Sequence, residues 1–174
     1  MKFLSKVLLV VALVLSFSSI HAGAADVSKL MLKGDLTLEQ AQRVTQGALA
    51  KAQEQGTLMN IAIVDAGGNL KSFVRMDGAF LASVDIAMRK ARTARSLNMS
   101  TLELSKLAAP GAPLYGIEVL DGSMAIFGGG ELLLDGNGVI IGAIGVSGSS
   151  VENDVAVAKA GAAALLKTKL NKTN

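Results

Sequence analysis

The sequence predicts an α+β fold, a single layered domain in which an antiparallel sheet of about five strands is flanked by helices. Three observations predict it. Apolar residues recur at helical spacing near both ends of the chain and in its middle. Between those segments lie short apolar, β-branched runs separated by Gly/Asp/Asn turns. Ser or Thr also stands three residues ahead of Gln or Glu where helices should begin. Strands joined by tight turns pair antiparallel, so the order α-β-β-α-α-β-β-β-α gives little support to an alternating dinucleotide-binding fold.

The elements follow in turn. Thr37 and Gln40 form a capping box, and Leu38, Ala41, Val44, Ala48 and Ala52 make the stripe of a first helix closed by Gly56. Met59 to Val64 and Leu70 to Arg75 read as a hairpin around Asp65-Ala66-Gly67-Gly68-Asn69. A second helix fits Leu81 to Leu97, with Val84, Ala87, Met88, Ala91 and Ala94 on one face. Ser100 and Glu103 open a short third helix that must stop before Pro110, and Gly111 to Gly116 is loop. Strands are expected around Ser123 to Phe127 and Glu131 to Leu134, and again at Val139 to Val146 after the turn Asp135-Gly136-Asn137-Gly138. A capping box from Ser149 to Glu152 starts the last helix, striped by Val155, Ala158, Ala162 and Leu165 and ending near Leu170.

Residues 1–24 read as a cleaved secretory signal. Lys2 and Lys6 precede an apolar run, Val7 to Ile20, and small residues follow at Ala22 to Ala25. The run is short of the ~20 residues that span a bilayer, so no stable membrane span is expected. Cleavage after Ala24 fits best, with Ala22 next, which predicts a periplasmic or secreted protein. A polar lead, 25–35, then precedes the domain at 36–170 and a tail at 171–174.

Export removes His21, the only histidine, from a chain that has no Cys and no Trp. Imidazole bases, thiolate nucleophiles and Cys/His zinc sites drop out with it. The formal net charge of +3 also falls by two with Lys2 and Lys6. No basic tract and one tyrosine remain, which argues against nucleic acid as a partner.

Candidate sites come from what is left. Gly145-Val146-Ser147-Gly148-Ser149 lacks the closing glycine and the base of a nucleophile elbow. What it does offer is a strand–turn–helix start whose amides, Gly148 to Val151, could receive a carboxylate or phosphate, against the plain reading of a capped helix. Gly128-Gly129-Gly130 reads as a structural bulge more than a ligand loop. Four of the five arginines fall between Arg75 and Arg95. Arg89, Arg92 and Arg95 form one arc of the second helix, either a solvated face or a surface for carboxylates, and Lys90 flanks the apolar stripe. Arg75 and Asp77 belong to the same rim. Tyr115 is a loop lid or a phenolate ligand. The methionines, Met76 among them, are core filler or weak iron ligands.

Several blocks, in order, resemble the GlcG/HbpS family. They are Ile61 to Leu70 with Arg75-Met76-Asp77, then Lys90-Ala91-Arg92-Thr93-Ala94, Pro113-Leu114-Tyr115-Gly116, and Gly142 to Gly148 followed by Asp154. The chain departs from the family's Phe-Pro-Gly-Gly-Ile-Pro at Phe127 to Leu132. The resemblance implies an antiparallel sheet flanked by helices, assembly into a homo-oligomer, and haem as the cofactor. It also implies kinship with domains fused to cobalamin adenosyltransferases. Three functions are therefore carried forward. The first is an exported, non-enzymatic haem-binding or haem-handling protein. In it an apolar groove holds the porphyrin, Arg or Lys meets the propionates, and Tyr115 or a methionine such as Met76 makes a weak contact to iron. The second is a binder or enzyme for a small carboxylate such as a 2-hydroxy acid, its site the amides from Gly148 and Ser149 to Val151 with Arg75 or Arg92. The third is an oligomeric accessory protein without ligand.

Overall fold

Side-chain size alternates along two strands, and that alternation builds the layers. The computed structural model describes residues 34–120 and 122–166. Strands β1 (Asn60–Asp65), β2 (Leu70–Arg75), β3 (Gly130–Leu134) and β4 (Ile140–Ser147) form one antiparallel sheet in the order β2-β1-β4-β3. Helices α1 (Leu38–Glu54), α2 (Ala82–Leu97), α3 (Thr101–Leu107) and α4 (Val151–Leu166) complete the α+β domain. The expected signal segment, most of the polar lead, the end of the last helix and the tail lie outside the described residues.

Pairing sets Ile61 opposite Val146 and Ile63 opposite Ile144. These branched side chains bury one face against Val44 and Ala48 of α1 and Val157 and Ala158 of α4. The next residues along, Ala62 and Val64, pair with Gly145 and Ala143 and turn to the other face, where Ala87, Ala91 and Ala94 of α2 meet them. This second interface is built of very small residues, so α2 lies against the strand backbone. A Cβ at Gly145 would overlap the Ala87 carbonyl and the Ala91 amide. With 3% aromatic residues in the chain, close approach takes the place of bulk.

Local chemistry sets most boundaries where the sequence placed them. Thr37 and Gln40 make the reciprocal capping bonds of α1. Asn98, in the left-handed conformation, ends α2, and the Ser100 hydroxyl accepts the Glu103 amide to start α3. Asp65 accepts the amides of Gly67 and Asn69, and Asp135 those of Asn137 and Val139, which closes the two hairpins.

Three expectations are corrected. Ser123 to Phe127 is not a strand: the Ala125 amide donates to the Thr93 hydroxyl of α2 at 3.0 Å, so the segment follows the helix and not the ladder. The cap of α4 is Ser150, whose hydroxyl accepts the Asn153 amide, and Ser149 lies one residue before it. Gly128 to Gly130 is not a bulge. β3 pairs from Gly130 onward, and the register irregularities fall at Leu133/Leu134 and Ile63/Val64.

Glu131 is an acid turned inward on the edge strand β3, a device that discourages edge-to-edge pairing. Its Oε1 is buried without a hydrogen bond among the described residues. Burial pushes this carboxyl above its ordinary 4.5, and Lys159 opposes the rise. A carboxyl raised in the folded state favours folding below pH 4.5 and loses that advantage as pH climbs through the folded value. Glu131→Gln is therefore expected to raise the urea midpoint at neutral pH and to flatten the decline in stability above pH 4.5. An unaltered pH profile would mean that this carboxylate is solvated.

Candidate functional site

The register brings the end of β2, the start of β1 and the end of β4 to one edge of the domain, because Asn60 is opposite both Arg75 and Ser147. The connections that leave this row enclose a cleft of about 300 Å³ lined by Gly56, Thr57, Leu58, Gly78, Phe80, Gly148 and Ser149. Phe80 is 67% exposed and Leu81, beside it, 75%. The two present apolar surface to solvent beside the cleft.

The loop that presents Phe80 is braced. Met76 donates its amide to the Met59 carbonyl, and the Met59 amide donates to the Met76 sulfur at 3.3 Å. Arg75 Nη2 donates to the Ala79 carbonyl at 3.2 Å. The buried Asn60 amide group donates to the Phe80 carbonyl at 3.1 Å, and its Oδ1 is a buried acceptor without a partner among the described residues. Phe80 is thus held open by hydrogen bonds on both sides of the loop.

Behind the floor of the cleft lies a buried ion pair. Lys90 of α2 donates to Asp154 Oδ2 of α4 at 2.7 Å and to the Val146 carbonyl at 3.0 Å, with the two side chains 0% and 3% exposed. The ammonium also lies 4.5 Å from the centre of the Phe127 ring. Since α2 and α4 cover opposite faces of the sheet, the lysine stem has to pass the edge where β3 begins. Three glycines make that passage. At Gly129, which has φ +117°, a Cβ would stand 2.6 Å from the Val146 carbonyl and 2.8 Å from Lys90 Nζ. Gly128 and Gly130 are closed to a side chain by Val155 and by the Lys90 carbonyl. Burial pushes the Lys90 ammonium down and the Asp154 carboxyl up, and their mutual contact opposes both shifts.

Asp154 has a second duty. Its Oδ1 accepts the Ser149 amide at 3.1 Å, and the Gly148 amide beside it also favours the charged carboxylate. Of the amides expected to be free for an external carboxylate, that of Ser149 is therefore engaged by the chain's own acid, and the Asn153 amide further on is taken by Ser150.

The structure brings together Arg75, Met76, Asp77, Gly148 and Ser149 at this end of the sheet, with Gly148 and Ser149 in the cleft itself. Arg75 and Asp77 are exposed beside it, while Met76 packs on the core and has its sulfur engaged. Tyr115 lines a separate hollow of about 250 Å³ with Pro113, Leu114, Gly116, Ile117 and Leu120, and Arg92 stands exposed on α2, lining neither hollow. The arginine arc does not converge, since Arg89 binds Asp85 and the Gly122 carbonyl and Arg95 binds Asn98. Sequence reasoning missed Phe80, Leu58, Asn60 and the buried pairing of Lys90, which it counted among the flanks of the stripe. Lys90 sits one residue before the apolar Ala91, and only the companion acid sixty-four residues on explains its burial.

The model of a family described as haem-degrading protein HbpS-like matches residues 36–163. The chain belongs to the HbpS-like family. An uncharacterised 15.0 kDa protein of Citrobacter freundii is 41% identical to this HbpS-like chain over 119 residues, covering 68% of it and 84% of the relative. Corrinoid adenosyltransferase PduO of Salmonella typhimurium is 39% identical over 131 residues, 75% of this chain but 39% of that longer protein. Among solved structures, a PduOC:haem complex superposes with a TM-score of 0.71 at 39% identity, covering 75% of this chain and 94% of the other. HbpS itself superposes at 0.68 and 35% identity, covering 80% and 96%.

Removing one member of a buried pair leaves the other charge uncompensated. Lys90→Ala is expected to lower the unfolding free energy by about 3–5 kcal/mol, whereas Lys90→Met combined with Asp154→Leu recovers most of that loss. Urea denaturation of both measures it. An equal loss in the double variant would show that the two residues do not act as one unit.

Proposed function

We propose that this HbpS-like protein is an exported, non-enzymatic haem-binding protein. The observation that carries the reading is the braced, outward-facing Phe80 above a cleft floored by Gly148 and Ser149, in a chain whose structural relative is a haem complex. A cleft of about 300 Å³ is at the small end for ligand sites and takes one edge of a planar macrocycle. The rest of the ring then lies over Phe80 and Leu81, where offset stacking and apolar burial hold it. Arg75 keeps further guanidinium donors beyond the one given to Ala79, enough to meet a propionate. Haem is held chiefly by its faces and propionates, and Tyr115, in its separate hollow, adds at most a contact from a second copy. Lys90 and Asp154 are sealed below the floor, so the charged groups that meet the ligand are the exposed Arg75 and Asp77 beside the cleft. Export rests on the three-part signal in residues 1–24. Self-association would cover Tyr115, Val119 and Leu120, which are 66%, 77% and 83% exposed.

Hemin titration of the untagged mature protein is expected to give a saturable Soret band without the low-spin signature of two imidazoles. Phe80→Ala should weaken binding at least tenfold, and Tyr115→Phe should leave the band position unchanged unless the phenolate reaches iron. No spectral change with the unaltered protein would end the haem reading. Steady bleaching of the bound band under a reductant and oxygen would make the protein an enzyme instead. Native mass spectrometry of the exported protein should show an N-terminus at Gly23 or Ala25 and a multiple of the protomer mass. A retained Met1 would contradict export, and a monomer alone would contradict assembly.

A further inference from the structure

The start of α4 is an anion position that the chain fills from inside. Asp154 places one oxygen on the Ser149 amide and the other on Lys90, and the neighbouring Gly148 amide also favours its charged form. Gly148 and Ser149 are also the floor of the cleft. The Lys90 ammonium is fixed in turn by the Val146 carbonyl, two residues upstream of that floor. A Cβ at Gly148 would overlap the Leu58 carbonyl, so the floor touches the opposite wall of the cleft through backbone alone. Neither wall nor floor has a side chain with which to adapt at this contact, and their spacing is set by what holds the turn from behind. Asp154 holds the turn through its backbone and Lys90 holds the strand end that leads into it, while Asn153 reaches only the Ser149 hydroxyl.

We propose that Lys90 and Asp154 are positioning residues for the cleft, an internal ion pair that fixes the Gly148–Ser149 floor by taking the place of a bound anion. The ligand side of this inference rests on the haem reading. The clamp itself does not.

Three variants of the mature protein test it. Asp154→Ala removes the carboxylate and leaves room for a small anion. Lys90→Met with Asp154→Leu keeps the volume and discards both charges. Val157→Ala weakens the core away from the cleft. Thermal melting, hemin titration and the amide resonances of Gly148 and Ser149 are followed, each with and without sodium formate at tens of millimolar. Asp154→Ala is expected to bind hemin at least tenfold more weakly and to lose the native shifts of both amides. Formate should restore shifts, melting temperature and affinity together, and should leave the unaltered protein unchanged. The double variant should melt near the unaltered protein yet remain weak for hemin, and Val157→Ala should melt lower but bind hemin normally. The proposal is overturned if Asp154→Ala binds hemin normally, if formate restores nothing, or if affinity follows melting temperature across all three variants. Should the unaltered protein itself fail to bind hemin, the role toward that ligand falls. Native amide shifts in Asp154→Ala would then remove the clamp as well, and their loss with recovery in formate would uphold it.

Discussion

Lys90 and Asp154 stand on helices that cover opposite faces of the sheet, and a contact of 2.7 Å joins them out of reach of solvent. Two ions taken from water carry a desolvation penalty of several kcal/mol each, so the arrangement survives only with good geometry and further bonds. Those bonds come from Val146 and Ser149, with the Phe127 ring over the ammonium. Each fixes a piece of main chain at the same corner of the domain. The glycine run before β3, the entry to α4 and the end of β4 are shaped around one charge pair. An apolar replacement of similar shape would hold the layers together, but it would leave the Ser149 amide without its acceptor.

The cleft shows how such a corner becomes a site. Loops that leave the same end of a sheet are brought together by strand register, and here the register also ties down what they present. Arg75, Asn60 and Met59 hold the Phe80 loop through its backbone, so the aromatic ring is exposed without the chain beneath it being loose. A pre-ordered surface of this kind loses little entropy when a flat ligand arrives. The HbpS-like relatives share the fold across nearly the whole domain, and this end of the sheet is where their chemistry can be compared residue by residue.

Much of the fold was legible in the sequence. Helix starts were marked by side chains that bond their own backbone, as at Thr37 and Ser100, and both hairpin turns by an aspartate that does the same. These are local effects within five residues, and periodicity supplied the buried faces. The failures were non-local. Ser123 to Phe127 has strand-forming residues but follows Thr93, which comes from a helix thirty residues earlier. The amide at Ser149 looked free because its acceptor is a side chain of the next helix. Lys90 read as surface because a lysine signals burial only through its partner. Of the site residues, the Gly148–Ser149 turn was read from its small residues and the helix after it. Phe80 was passed over because a single phenylalanine before a helix reads as core.

The two faces of the sheet differ in how freely their residues can change over evolutionary time. Isoleucine, valine and leucine under α1 and α4 can trade methyl groups among themselves, since loss at one position can be made good at a neighbour. Beneath α2, Val64 apart, the buried residues are alanines and Gly145, and at Gly145 a side chain would meet main chain that cannot retreat. Enlargement there lifts the whole helix, and α2 is the helix that carries Lys90. Where a position is already at the smallest size against a close neighbour, as at Gly145 under α2 and at Gly47 and Gly161 where α1 meets α4, enlargement is the change the fold accommodates worst.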